Sequence, residues 1–219
     1  MKPVWDGIVH SKMLSEDENR TRQSLADAAR RHDWKHVLLI LKSCNNLVNT
    51  TRPDGASFYT PLHQTAYGGA PEPIVLSLLD LGAWRTLQNA RGERPVDVAM
   101  RRGHTHLLDT LAPDLKRRVP PGTLLKVQEH FHAVINSRAG ELVRRAGLRL
   151  PQLAPLMELG NVGIWFPIPG MAGGFAYRLA SDGAEAMLVC DSWSRMADGS
   201  GERHEVTSSG SRLVEEGFV

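Results

Sequence analysis

Apolar positions follow two rhythms along this chain. Up to about residue 148 they recur every three or four residues. Beyond residue 162 they alternate with polar ones. Leu25, Ala28 and Ala29 mark a first short helix, and Trp34, Val37, Leu38, Ile40 and Leu41 a second. The pattern returns at Leu62 and Ala66 with Ile74, Val75, Leu78 and Leu79, and again at Val96 and Ala99 with Leu107, Leu108 and Leu111. A longer stripe follows at Leu124, Val127, Phe131, Val134 and Ile135, then Leu142, Val143 and Ala146. Strand-like segments are expected at 163–167, 174–179, 184–192, 202–207 and 212–219, five in all. Asp182-Gly183 reads as a hairpin turn, and Gly199-Ser200-Gly201 and Ser208-Ser209-Gly210 as further turns.

The stretch Thr60-Pro61-Leu62-His63-Gln64-Thr65-Ala66-Tyr67-Gly68-Gly69 is the best-formed unit. Thr60 is suited to cap a helix with its hydroxyl. Pro61 fits the first helical position, where no N–H is needed. Leu62 and Ala66 share a face, and Gly69 suits the left-handed residue that ends a helix. Pro95, Val96, Ala99 and Gly103 repeat the same places, with Asp97 for the His. A weaker copy starts near Gln23, with Ser24 for the Pro and Ala26 for the His. The starts at Gln23, Thr60 and Arg94 are 37 and 34 residues apart.

A T-P-L-H-x-A helix opening at a period of about 33 residues resembles the ankyrin repeat. Residues 23–113 are similar to about three such repeats. Further runs resemble bacterial ankyrin-repeat proteins with a C-terminal extension: Ala83-Trp84-Arg85-Thr86 with Arg91-Gly92-Glu93-Arg94-Pro95, Val127-Gln128-Glu129-His130-Phe131-His132, Phe166-Pro167-Ile168-Pro169-Gly170-Met171, and Gly199 through Thr207. The expected fold is α+β. An N-terminal lead-in (1–22) either docks on the first repeat or is disordered. An ankyrin α-solenoid (23–113) follows, then a helical pair that caps it (114–161) and a small antiparallel β region (162–219). The basic run Lys116-Arg117-Arg118 with Pro120-Pro121 reads as a break between stretches. The resemblance implies protein binding through the loops between repeats and the exposed ends of the first helices. It also implies that His63 hydrogen-bonds a neighbouring loop and holds the repeats in register.

Composition narrows this reading. The chain has 219 residues, 26 basic and 24 acidic, and a net charge of +2, too balanced to argue for nucleic acid. Its 42% hydrophobic content suits a globular protein. Cys44 and Cys190 lie far apart without metal-ligand spacing, which fits a reducing compartment, and a cytoplasmic location is expected. The N-terminus carries no apolar core of a signal peptide, and no run reaches membrane-spanning length.

The implied binding face selects the candidate residues. Arg30 with Arg31, Tyr67, and Arg101 with Arg102 take matching places at the ends of successive first helices. Arg52, Phe58, Tyr59, Trp84 and Arg85 lie on the intervening loops. Arginine suits bidentate pairing with carboxylates, and Arg, Tyr and Trp are frequent interface anchors. The expected partner is therefore a protein, with an acidic surface as the natural complement. The alternatives are that the arginines only solvate helix C-termini and that the aromatics only pack the loops. His104 with His106, and His130 with His132, stand two apart, the wrong spacing for a helical metal pair, and no cofactor or metal is expected. A second functional reading places an enzyme or small-molecule sensor in the β region, its nucleophile, base and orienting acid drawn from Cys190, Asp191, Ser192 and His204, with the repeats as a docking arm. The alternative there is a buried strand cysteine beside a surface histidine.

Overall fold

The structure, a computed structural model, describes residues 3–195 and 199–217. The architecture is α+β, with eight α-helices and one five-stranded antiparallel sheet among the described residues. The chain divides into two compact units. One is Ile8–Asp114, and the other combines Met1–Gly7 with Leu115–Val219.

The first unit is helical. Its members are α1 (Glu16–Arg30), α2 (Trp34–Ser43), α3 (Pro61–Gly68), α4 (Glu72–Asp80), α5 (Pro95–Arg102) and α6 (Leu108–Leu111). They pair in sequence, and the pairs stack: α3 packs between α1 and α5, and α4 between α2 and α6. Leu25, Ala28, Leu41, Leu62, Ala66, Val75, Leu78, Val98, Ala99 and Leu111 form one continuous buried core. Small alanines at the matching places of α1, α3 and α5 let the backbones approach closely.

Local chemistry explains the helix ends. Ser15 opens α1 with a reciprocal cap: its backbone N–H donates to Glu18 at 2.9 Å, and its hydroxyl accepts from the Glu18 N–H at 3.3 Å. Glu16, Asp17 and Glu18 in the first turn favour the positive end of the helix dipole. This corrects the expected lead-in of residues 1–22, because the first helix begins at Glu16. Its opening turn is too polar to show in the apolar pattern. Thr60 and Pro61 open α3 as expected, and Gly69 (φ +62°) and Gly103 (φ +76°) end α3 and α5 in the left-handed conformation. A side chain there would cost about 1–2 kcal/mol.

The second unit is built on the sheet β1 (Ile164–Ile168), β2 (Gly173–Leu179), β3 (Leu188–Ser194), β4 (Ser200–Thr207) and β5 (Gly210–Gly217), paired in sequence order. The strand expected at 212–219 is β5, and Phe218 and Val219 lie outside the described residues. Phe166, Phe175, Tyr177, Leu188, Cys190 and Val206 are buried, so alternation gives the sheet one inner face. A long helix, α7 (Pro121–Ala146), interrupted at Ala139 (φ −141°), supplies the other half of this core. Its Phe131 meets Tyr177 at 4.8 Å between ring centres. The expected helical pair is thus one broken helix followed by a short α8 (Ala154–Leu159). Both belong to the compact unit of the sheet.

Three further expectations are corrected here. The start of the chain joins the sheet unit: Val4 bridges Trp165 in parallel, the Trp165 N–H donates to the Pro3 carbonyl, and the Trp5 indole donates to the Arg149 carbonyl at 2.8 Å. Arg117, read as part of a basic break, is buried and donates to Asp182 at 2.5 Å and to the Leu179 carbonyl at 2.7 Å. Asp182-Gly183 is not a two-residue hairpin turn but part of a wider loop, closed by the Ala180 N–H on the Met187 carbonyl at 2.7 Å. The β4–β5 connection, through Ser208 and Ser209, is a two-residue turn.

Candidate functional site

The helical unit carries a groove of about 360 Å³, lined mainly by α1, α3 and the loop from Thr50 to Tyr59. Arg22, Arg30, Arg52, Tyr59, Gln64 and Tyr67 give it its character. Each is placed by a local feature. Arg30 ends α1, directly after the buried Ala28 and Ala29. Tyr67 lies in the last turn of α3, just before the Gly69 cap, and is exposed. Arg52 is held by Asp27 at 2.5 Å.

Tyr59 links the groove to the next helix pair. Its ring stands edge-on to Tyr67, with centres 6.1 Å apart, and its hydroxyl accepts from Arg101 at 3.2 Å. Arg101 also pairs with Glu93 at 2.6 Å. That bond, then one from Asn89, holds the Glu93 carboxyl below the usual carboxylate range. Arg102 lies over the Tyr67 ring at 4.3 Å, a cation–π contact. Arg30 and Arg31 are exposed and make no ion pair among the described residues. A run of arginines and tyrosines thus crosses the ends of α1, α3 and α5. An anionic group entering it would meet guanidinium donors and two aromatic rings.

The loop residues fare differently. Trp84, read as either an interface anchor or a residue packing its loop, is 5% exposed, and its backbone N–H donates to the Asn49 side chain at 2.9 Å. Arg85 is half-buried and donates to the Thr110 carbonyl at 3.0 Å. An indole gains more by joining the core than by facing water, and Asn49 supplies the polar partner that its loop needs. Phe58 is half-buried with φ +53° and does not line the groove. Sequence reasoning missed Arg22 and Gln64. Arg22 fell inside the presumed lead-in, although the Ser15-x-x-Glu18 box would have placed it on a helix.

His63 is fully buried. Its Nδ1 accepts from the Thr60 hydroxyl at 2.8 Å, and its Nε2–H donates to the Glu93 carbonyl, in the loop before α5, at 3.1 Å. Truncating it as His63→Ala would remove one bond from each partner, leaving the Thr60 hydroxyl with the residue-63 N–H at 3.4 Å and the Glu93 carbonyl with the Asn89 N–H at 2.9 Å. The expected cost is about 1–3 kcal/mol. Faster amide exchange in the Asn89–Glu93 turn, with α1 unaffected, is the signature to look for; unchanged exchange would deny His63 this role.

In the sheet unit, Cys190, Asp191 and His204 do not converge. Cys190 pairs with His204 across β3 and β4 on the inner face, whereas Asp191 points to the outer face and binds Arg203 at 2.6 Å. Alternation along the strand separates the acid from the other two. Burial, aided by the charges of Asp191 and Glu202, pushes the Cys190 thiol far up, so it stays protonated at neutral pH. Ser192 accepts from Arg138 at 3.0 Å. His130 and His132 are tied separately to the carbonyls of Thr207 and Pro151, and no group of three or more metal-ligand side chains occurs among the described residues. No helix of the described residues is long and apolar enough to cross a membrane. Compared with known proteins, the chain matches no family model and no curated protein sequence.

Proposed function

We propose that the helical unit is an ankyrin-repeat array and that the protein is a non-enzymatic binding module for a protein partner with an acidic surface. The observation that carries this reading is the groove lined by Arg30, Arg52, Tyr59 and Tyr67 and continued by Arg102 over Tyr67. The T-P-L-H opening of α3, the left-handed glycines after α3 and α5, and the His63 bond to the Glu93 carbonyl support the repeat assignment. Tyrosine offers a large contact area with only two side-chain torsions to order, and arginine and tyrosine are enriched among the residues that dominate interfaces. An acidic segment laid along the groove would pair with Arg30 and bury its apolar parts against the two tyrosines.

The test is affinity capture from the native cell lysate with the intact protein and with an Arg30→Glu, Tyr67→Ala variant. Both side chains are exposed, so the variant should fold. A stoichiometric partner, released by raised salt and recovered at least tenfold less by the variant, is the expected outcome. Equal recovery by both proteins would remove the groove from the interface. Failure to recover any partner would count against the binding-module reading itself.

A further inference from the structure

The outer face of the sheet carries a second built site, independent of the groove. Trp165 and Trp193 stack there with ring centres 4.5 Å apart and planes 18° from parallel. Between them on β2 lies Gly174, the register partner of Trp193, where an added Cβ would come within 2.9 Å of the Trp165 ring. The indole pair therefore closes over a strand that has no side chain at that point. One face of Trp193 is backed by Trp165. On the other side its register neighbours across β4 and β5 are Gly201 and Gly217, so among the described residues its second face overlooks bare backbone. A hollow of about 300 Å³ occupies this place, lined by Trp193, Gly201, Gly217, Asp191, Arg203 and Glu215.

The next row of the sheet supplies the polar wall. Asp191, Arg203 and Glu215 are register partners, and Arg203 donates to Asp191 at 2.6 Å and to Glu215 at 2.8 Å. Among the described residues each carboxylate keeps an unused oxygen, and each is fixed in direction by the guanidinium between them. Nearby, Arg212 pairs with Glu205 at 2.6 Å, so charge on this face is largely matched. Such a surface does not call for a highly charged ligand. It offers an aromatic plane beside an alternating row of acceptors and donors.

We propose that this hollow binds a saccharide ring. The C–H face of a pyranose carries partial positive charge and suits the negative face of an indole. Its neighbouring hydroxyls both donate and accept, matching the unused oxygens of Asp191 and Glu215 and the guanidinium of Arg203. The volume sits at the lower end of the roughly 300–1,000 Å³ of small-molecule sites, enough for one or two rings. A backed tryptophan binds without first being ordered, which lowers the cost of association.

The full-length protein should be titrated with maltose, cellobiose and N,N′-diacetylchitobiose while the tryptophan indole N–H signals are followed by NMR. Trp193→Phe assigns the relevant signal. The expected result is a saturable shift of Trp193 with at least one sugar and at least a tenfold weaker affinity in Gly217→Val. That variant places a side chain in open space within the hollow and leaves Trp193 and the ion ladder intact. No shift with any of the three sugars, or equal affinity in Gly217→Val, would overturn the proposal. So would a Trp193 shift with N-acetylarginine amide alone, which would mark a site for a cationic side chain instead.

Discussion

Replacing Arg138 with methionine is expected to destabilise the sheet unit by about 3–5 kcal/mol, the range for breaking a buried ion pair from one side. Arg138 rises from α7 with its side chain 15% exposed. It donates to Glu202 at 2.5 Å, to the Ser192 hydroxyl at 3.0 Å, and to the Ser200 carbonyl and hydroxyl at 2.9 and 2.7 Å. Methionine keeps most of the stem but strands a largely buried carboxylate and two hydroxyls. The neighbouring His204 supplies a second readout. Burial, chiefly, and the charge of Arg138 depress its pKa below the ordinary 6.5, while Glu202 pulls it up. The folded protein thus binds the His204 proton less readily than the unfolded chain does. Its stability is complete above about pH 6.5 and is lost as pH falls through the depressed folded pKa. Without Arg138, Glu202 acts unopposed and the His204 pKa rises. His132, also depressed mainly by burial, adds a loss of the same sign that the substitution leaves in place. Urea unfolding followed by tryptophan fluorescence at about pH 7.5 and about pH 5.5, with NMR titration of His204, measures both effects. A loss below about 1 kcal/mol, or an unmoved His204 titration, would show that Arg138 does not organise this core.

Gly173→Ala is expected to cost at least the upper end of the about 1–3 kcal/mol typical of overpacking, and to abolish the folded sheet if β2 cannot yield. A methyl group at Gly173 would overlap the Trp193 carbonyl oxygen on β3. The obstacle is backbone, held in the ladder by the register Gly173↔Ser194, so no side-chain rotation relieves it. Relief requires the two strands to part, which loosens the Trp165–Trp193 stack at the same time. Gly217→Ala is the control, because nothing lies within 4 Å of its added Cβ. That change should move stability by no more than about 0.5 kcal/mol. Thermal melts of the two variants, read by circular dichroism and by tryptophan fluorescence, compare them directly. Equal melting would mean that the β2–β3 pairing is looser than its register implies.

Much of the architecture was legible because it depends on neighbours along the chain. The Thr60 cap, Pro61 and Gly69 act within ten residues of one another, and they bound α3 as read. The five strands were legible for the same reason, since alternation is a property of one strand. The failures share the opposite cause. The first helix was started late because its opening turn is held by Ser15 and Glu18, polar residues that leave no mark on an apolar periodicity. The Asp182-Gly183 signal was real as a bend, but its loop is closed by Ala180 and Met187 and by a bond from the Gly183 N–H to the Arg118 carbonyl. Of the candidate groove, Arg30, Arg52, Tyr59 and Tyr67 were named from sequence, whereas Arg22 and Gln64 were not.

By itself, then, the sequence determined the α+β class, the pairing of short helices and the presence of an antiparallel β region of five strands. Each of these follows from spacing, capping and turn chemistry within about fifteen residues. Tertiary structure alone decided that Trp84 is core, because its burial depends on Asn49 from an earlier loop. It decided that Cys190 and Asp191 face opposite ways, because that follows from which side of the sheet α7 covers. It also joined Pro3 to Trp165 and so made the sheet unit from both ends of the chain. Backbone pairing across such a separation leaves no periodic trace, since any strand can offer the same donors and acceptors to any other.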